Sequence, residues 1–532
     1  MKRLARRIRI AAVILTLPLL VVAVNTIILR TKQVRVPPAE TITPLPDFAE
    51  RLSRAIRFPT VAAGSPGATD PRPFEALREH LAGSFPKVHE RLVREVFGGQ
   101  SLLYRWRGDD PSRRPVLLMS HLDVVPVEAG SENDWTHPPF SGEIADGFIW
   151  GRGALDVKCG ALGLLEAVER LLDDGFRPAC DVYLALGHDE ETGGLGGNRQ
   201  IAAALRERGV RFRFVLDEGG GLTEGIIDGI DAPVAYIGIA EKGYATVMLS
   251  ASGPGGHSSM PPPRTSVGRV AAAIARLEAA PFPARIDGAT AAMLDYLGPE
   301  MPWHRRAVLA NRRLTGSLIA RQFSAKPSLN ALLRTTTAAT VIHGGKTPNV
   351  LPERTEALVN VRLLPGDAAE SALARVRAVV DDPGVTCSLR ELASEASPVS
   401  SIDSDGFRVL QRTISEVYPG AVVAPGLSMV ATDSRHYTAI TDDIYRFLPM
   451  RVTSKDLERI HGVDERIAVK DYANLIGFLA RLIRNLSASG RGPITEVPGR
   501  RGMPDPAVVR PAPAPFGDEP GPVGVDRRGV RP

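Results

Sequence analysis

DVYLALGHDEETGG, residues 181–194, joins an apolar run to three consecutive carboxylates. The run from Val182 to Leu186 has the length and unbroken apolar character of a strand buried on both faces, as in a parallel sheet. At its carboxyl end stand Asp189, Glu190 and Glu191. Two like charges about 4 Å apart repel by roughly 4 kcal/mol at an effective dielectric near 20. A carboxylate is also costly to bury without a compensating positive group. Either the three lie on a solvated loop or a cation compensates them.

The same pattern continues outward from this stretch. RPVLLMSHLDVV reads as a strand and a loop, and GALGLLEAVERLLDDG as a helix stopped at Gly175. FRFVLDEGG and APVAYIGIAEKG supply further strands. Short apolar strands alternating with amphipathic helices predict an α/β fold with a mainly parallel central sheet. The character changes at Lys242. YATVMLSASG, NALLRTTTAATVIHGG and ERTEALVNVRLLPG look like exposed strands of a smaller α+β unit, with VGRVAAAIARLEA as a helix between them. From about Ser397 the α/β pattern returns in FRVLQRTISEVY and YANLIGFLARLIRNL. The predicted organisation is a large domain in two parts, 47–241 and 397–489, with a smaller unit, 242–396, inserted between them.

The chain has 532 residues, 44% hydrophobic and 23% charged, as expected of a globular protein with more than one domain. Its net charge of +5 owes much to MKRLARRIR at the start and to GRRG and DRRGVRP near the end, so no nucleic-acid groove is indicated. Cys159, Cys180 and Cys387 form no CxxC pair and no disulfide framework. From Ile10 to Leu29 run twenty uncharged residues, enough to span a bilayer as a helix. The basic residues before them place the N-terminus in the cytoplasm. The stretch ends AVNTIILR, without an A-x-A-like cleavage site, which favours an uncleaved anchor over a cleaved signal. The expectation is a cytoplasmic stub and transmembrane anchor over 1–30, a proline-rich linker over 31–46, and an extracytoplasmic globular part. A cleaved signal would instead give a secreted protein. The Pro- and Gly-rich segment 490–532 reads as a disordered tail.

Open α/β sheets bind ligands past the carboxyl ends of their strands, and polar residues collect there. His121 and Asp123 follow LLMS, Asp156 lies in GRGALDVKCG, and Glu190 and Glu191 follow the opening run. Asp217 and Glu218 end FVLDEGG, and His461 lies far along the chain in ERIHGVDERI. One such residue is usually a cap or a solvated turn group. Five such places, offering carboxylates and imidazoles without a cysteine, point to a metal: zinc first, with manganese or cobalt as substitutes.

HLDVVP, GRGALDVKCG, GHDEETGG, VLDEGG, GGHSSMPP and HGVDERI, in that order, resemble the zinc aminoacylase and carboxypeptidase family, metallopeptidase family 20, and its carboxypeptidase S-like branch. The resemblance covers roughly Asp47 to Leu486. It implies a two-zinc exopeptidase-type catalytic domain, with the inserted unit as a lid and dimerisation domain. His121 would bind one zinc and Asp156 would bridge both. Glu191 and Asp217 would complete the two shells, with His461 on the other metal; some relatives use the position of Glu218 instead of Asp217. A bridging carboxylate suits two dications about 3.5–4 Å apart. Glu190 is then free to act as general base, and Asp123 can fix the tautomer of His121. His257 matches a histidine that reaches the partner subunit's active site to stabilise an oxyanion, which implies a homodimer. Asn349 in TPNVLPE and Arg362 in VNVRLLPG match substrate-binding lid positions. Asp433 and Arg435 in TDSRHY more loosely resemble a carboxylate-recognition loop, a task to which the forked arginine is suited. Cys159 departs from the small residue usual at its place, and reads as a small core residue.

The activity implied is zinc-dependent hydrolysis of an amide bond next to a free carboxylate, in a small peptide or an N-acyl amino acid. A reversible N-fatty-acyl amino acid hydrolase/synthase is one alternative. A non-catalytic receptor or scaffold on the same fold is another, and the intact Glu190 and ligand set speak against it.

Overall fold

The computed structural model describes residues 17, 19–62, 69–390 and 393–488. At the centre of a ten-stranded sheet lie Val182–Gly187, Val116–His121, Val215–Asp217 and Ile444–Arg446, in that order and each parallel to its neighbour. The first two are buried at every position. Their alternation divides them between two cores: Leu118 and Leu184 on one face, Leu117, Met119, Tyr183 and Ala185 on the other. Antiparallel strands Val93–Phe97 and Ser101–Trp106 extend one side of the sheet. Val234–Glu241, Gly221–Thr223 and Arg451–Val452 extend the other, with Val422–Ser428 parallel to Val234–Glu241. Helices Lys158–Asp173 and Val469–Ala488 cover the first face and Asn198–Glu207 the second. Gly163 lets the first two touch, since a Cβ there would overlap Leu475.

A second sheet is antiparallel throughout, in the order Thr336–His343, Arg354–Leu363, Gly243–Ser252, Thr386–Leu389. Helices Ser266–Ala279 and Ala369–Val380 lie on one face and close a separate core around Val247, Leu249, Val270, Val359, Val361 and Val376. Lys242, where the sequence changes character, is buried at the junction. Its ammonium donates to the carbonyls of Ala331 and Arg334 at 3.0 and 2.9 Å, and burial pushes its pKa down to about 8. Not all of 242–396 joins the small core. Helix Gly288–Leu297 packs on strand Val422–Ser428 and inserts Met293, Leu294 and Leu297 into the main core, with Tyr296 edge-on to Phe407.

The N-terminus requires a correction. Among the described residues no helix is long and apolar enough to cross a membrane. The continuous helical part, residues 19–28, measures about 15 Å at 1.5 Å per residue, half of a ~30 Å hydrocarbon core. Its end is tied to the rest of the protein by polar contacts. Arg306 donates to the carbonyls of Thr26 and Leu29, Asn25 Nδ2 donates to Asn311 Oδ1 at 2.9 Å, and Thr26 is buried. The transmembrane anchor, the membrane as a partner and the localisation built on them are withdrawn. Residues 1–16 and the tail expected over 490–532 lie outside the described residues. The stretch expected to be a linker is a docked strap. Gln33 Nε2 donates to Val423 O at 2.9 Å while its Oε1 accepts from Val423 N at 2.8 Å. Ala39 N donates to Glu416 O at 3.0 Å.

Candidate metal centre

The parallel central strands bring their carboxyl ends to one edge of the sheet, and the polar residues that follow them converge there. His121 is the last residue of Val116–His121 and is buried. Its Nδ1 donates to Asp123 O at 3.0 Å and lies 3.4 Å from Asp123 Oδ1, so Nε2 faces the centre. There it approaches Asp156 Oδ1 at 3.2 Å and Glu218 Oε1 at 3.7 Å. Asp156, in the turn before helix Lys158–Asp173, turns its other oxygen, Oδ2, to His461 Nε2 at 3.0 Å. His461 Nε2 also lies 3.3 Å from Glu191 Oε2.

Two triads result, His121–Asp156–Glu218 and Asp156–Glu191–His461, each with its ligand atoms within 4.8 Å of one another. Asp156 belongs to both, one oxygen to each. The electrostatics fit cations here. Glu190 and Glu218 are held well above the usual carboxylate range by burial, with neighbouring carboxylates adding to the effect. Asp156 and Glu191 together raise His461 to about 10. Glu191 Oε1 is buried with no hydrogen-bond partner. Carboxylate and imidazole donors in two sets, sharing one carboxylate, match a two-zinc arrangement.

Glu218, and not Asp217, is the member of this pair that reaches the centre. Adjacent residues at a strand end point to opposite sides. Asp217 is turned inward, its Oδ1 accepting from Glu218 N and its Oδ2 from Ser434 N, both at 3.0 Å. Asp123 has a second contact beyond His121: its Oδ2 accepts from Glu191 N at 3.0 Å. Asp189 is a turn acceptor, bonded by Gly196 N at 2.6 Å.

The substrate residues read from the sequence are divided. Asp433 is a buried, interior group. Its Oδ2 accepts from Asn198 Nδ2 at 2.6 Å, and burial, with Asp217 and Asp123 nearby, pushes it up to about 7. Gly194, at φ 67, passes so close that a Cβ would overlap Asp433 Oδ1. Arg435 donates from Nη2 to Gly193 O at 2.9 Å, beside the Glu190–Thr192 turn. His257 and Asn349 sit together at an exposed two-stranded antiparallel ladder of the inserted unit, where Gly256–His257 pairs with Val350–Leu351 and Ser258 N donates to Asn349 O at 3.1 Å. Arg362 stacks over Tyr244, 4.9 Å from its ring centre. Among the described residues no hydrogen bond or ion pair joins these three to the metal-facing groups. Cys159 is buried, its Sγ near Leu155 O at 3.6 Å and Met450 Sδ at 3.5 Å, as a core residue. Sequence reasoning missed Arg152 and Glu465, although GRGALD and HGVDERI contain them. Both are buried and ion-paired at 2.8 Å behind the centre.

The model of peptidase family M20/M25/M40 matches residues 117–485. The Dictyostelium discoideum protein named probable carboxypeptidase S-like 2 is 40% identical over 478 residues, 88% of this chain and 92% of that protein. The Xenopus tropicalis N-fatty-acyl-amino acid synthase/hydrolase PM20D1 is 40% identical over 445 residues, 82% of this chain and 85% of that protein. Among solved structures, the M20 family metallo-carboxypeptidase Sso-CP2 from Sulfolobus solfataricus superposes with a TM-score of 0.62 at 20% identity, covering 84% of this chain and 100% of that one, a likeness of fold. With its two candidate metal-binding triads, the chain belongs to peptidase family M20/M25/M40, in the carboxypeptidase S-like branch, and is a zinc-dependent amide-bond hydrolase.

Proposed function

We propose that this protein hydrolyses, and in reverse forms, the amide bond of amino acids carrying a long N-acyl chain. The observation that carries the reading is the 40% identity to an N-fatty-acyl-amino acid synthase/hydrolase across most of both chains. The surroundings of the centre support it. Leu195, Met429, Val430 and Val463 are 52, 44, 56 and 40% exposed, each within a few residues of a group described above. Val430 lies against Gly219, next to Glu218. Such exposed apolar side chains suit an acyl chain better than the polar backbone of a peptide.

In this reading His121, Asp156 and Glu218 hold one zinc, and Asp156, Glu191 and His461 the other. When bound, zinc acidifies water and polarises a carbonyl. Glu190 takes a proton from the attacking water and delivers it to the amide nitrogen as the C–N bond breaks, leaving a fatty carboxylate and an amino acid. The reverse step returns the proton and releases water. Asp123 keeps His121 Nδ1 protonated and Nε2 free. Arg435 binds the substrate's free carboxylate through its remaining guanidinium nitrogens. In a homodimer His257 contributes the oxyanion contact to the partner subunit's centre, and Asn349 and Arg362 contribute substrate contacts from the inserted unit.

The test is a chain-length series of N-acyl phenylalanines with the zinc-loaded protein. Each methylene buried is worth about 0.8 kcal/mol, so four more should raise kcat/KM by up to roughly 200-fold. Liberated amino acid is measured directly, and the reverse reaction by incubating oleate with phenylalanine. A second reading, a carboxypeptidase acting on small peptides, draws on the 40% identity to the carboxypeptidase S-like relative. Faster cleavage of dipeptides than of every N-acyl amino acid, with no chain-length dependence, would establish that reading instead.

A further inference from the structure

We propose that Arg152 and Glu465 are positioning residues that set the metal affinity of one pocket, that of Asp156, Glu191 and His461. The inference rests on the reading that this triad holds a zinc. Asp156 and His461 come from loops about 300 residues apart in sequence, and an internal ion pair links their backbones. Glu465 Oε1 accepts from Leu155 N at 2.8 Å and from Asp156 N at 3.0 Å. Its Oε2 accepts from Arg152 Nη1 at 2.8 Å, and Arg152 Nη2 donates to His461 O at 3.1 Å. The planar guanidinium makes this possible, since one fork can serve a carboxylate and a carbonyl in fixed directions. The guanidinium is itself stacked over Trp135, 5.3 Å from the ring centre.

The two histidines are supported differently. His121 is buried and has Asp123 behind its ring. The His461 side chain is 51% exposed, so packing does little to orient it. Its backbone lies in the left-handed region at φ 62, followed by Asp464 at φ 58, conformations that non-glycine residues keep only when the surroundings impose them. Arg152 supplies that constraint through the His461 carbonyl. Strand pairing supplements it from the far side, with Arg466 opposite Trp150 and Gly151 N donating to Glu465 O at 2.8 Å. Glu218 takes no part in this chain of contacts. It is supported separately through Asp217 and Ser434. Asp156 serves both triads, but the contact from Arg152 to the His461 carbonyl belongs to one alone, so loosening that contact while Asp156 N keeps its acceptor should affect one zinc much more than the other.

Two near-isosteric variants test this. Glu465→Gln retains a carbonyl oxygen for Leu155 and Asp156 but turns an amide donor toward Arg152. Arg152→Lys keeps the charge opposite Glu465 but cannot reach the His461 carbonyl at the same time. Zinc is titrated into metal-free wild type and each variant, bound zinc is counted after dialysis, and the melting temperature of each metal-free protein is recorded. Losing an outer partner of a ligand typically costs about 10–100-fold in metal affinity. The expected result is two zinc ions in wild type, and in both variants one ion bound as before and one weakened by roughly that factor, with metal-free melting temperatures close to wild type. Unchanged affinities for both ions in a folded variant would overturn the proposal. Equal weakening of both ions with a lowered metal-free melting temperature would also overturn it, by reducing the pair to a general structural role. Fewer than two zinc ions in wild type would instead remove the two-zinc reading on which the proposal stands.

Discussion

Glu190→Gln is expected to bind two zinc ions per chain and to lose roughly 10²–10⁴-fold in turnover, the range typical of general acid–base catalysis. Glu190 opens the short turn Glu190–Thr192 at the end of a buried strand, and neither triad includes it. Its local fold depends on its backbone, whose carbonyl accepts from Gly193 N at 2.8 Å, and glutamine keeps that bond. The amide keeps the shape of the side chain and removes its ability to take a proton from water. The loss should appear in kcat with little change in KM, measured on an N-acyl amino acid, with elemental analysis confirming the zinc. Near-normal turnover at full zinc content would remove Glu190 from the mechanism.

Glu218→Ala is expected to lose one zinc and most activity, whereas Asp217→Asn is expected to keep both ions with at most a 10–100-fold weakening of one. Glu218 faces His121 and Asp156 across the centre, so alanine there deletes a donor. Asp217 acts one step removed. Its carboxylate receives Glu218 N and Ser434 N, and asparagine retains one acceptor oxygen for that task. Zinc counting on both variants distinguishes them. The opposite ranking, with Asp217→Asn losing an ion and Glu218→Ala keeping two, would reverse the assignment of ligand and support.

That pair also marks where sequence reading stops. The strands Val116–His121 and Val182–Gly187 were legible because continuous apolar runs of that length suit strands buried on both faces. The sites at their ends were legible because charged groups next to buried strands need a reason. Which of two adjacent carboxylates faces the centre depends on how the strand end is turned, and composition carries no record of that. The orientation of Asp433 was hidden for a related reason. TDSRHY is a polar string, yet the short helix Asp433–Tyr437 turns the aspartate inward to Asn198. The apolar N-terminal stretch failed on a different ground. Hydropathy counts apolar side chains but does not give the length of the helix they form. Among the described residues the continuous helix is 19–28, its large apolar side chains stay mostly exposed, and Asn311 and Arg306 hold its end through polar contacts. Nor did the apolar face of Gly288–Leu297 give any sign of which of two cores it would enter.

The position of Ile444–Arg446 within the central sheet has a consequence for biosynthesis. This strand is the parallel neighbour of Val215–Asp217, and Ser434, which bonds Asp217, lies 217 residues further along the chain. At about 5–20 residues per second a ribosome needs roughly 10–40 s to cover that gap. The small antiparallel sheet is continuous in sequence and its strands emerge during this interval, so it can fold while the large sheet waits with one side of Val215–Asp217 unpaired. An open strand edge is a template for wrong partners. The nascent protein therefore passes through a stage in which its later-emerging unit can be finished and its earlier one cannot, and zinc cannot be fully enclosed until the loop bearing His461 has left the ribosome.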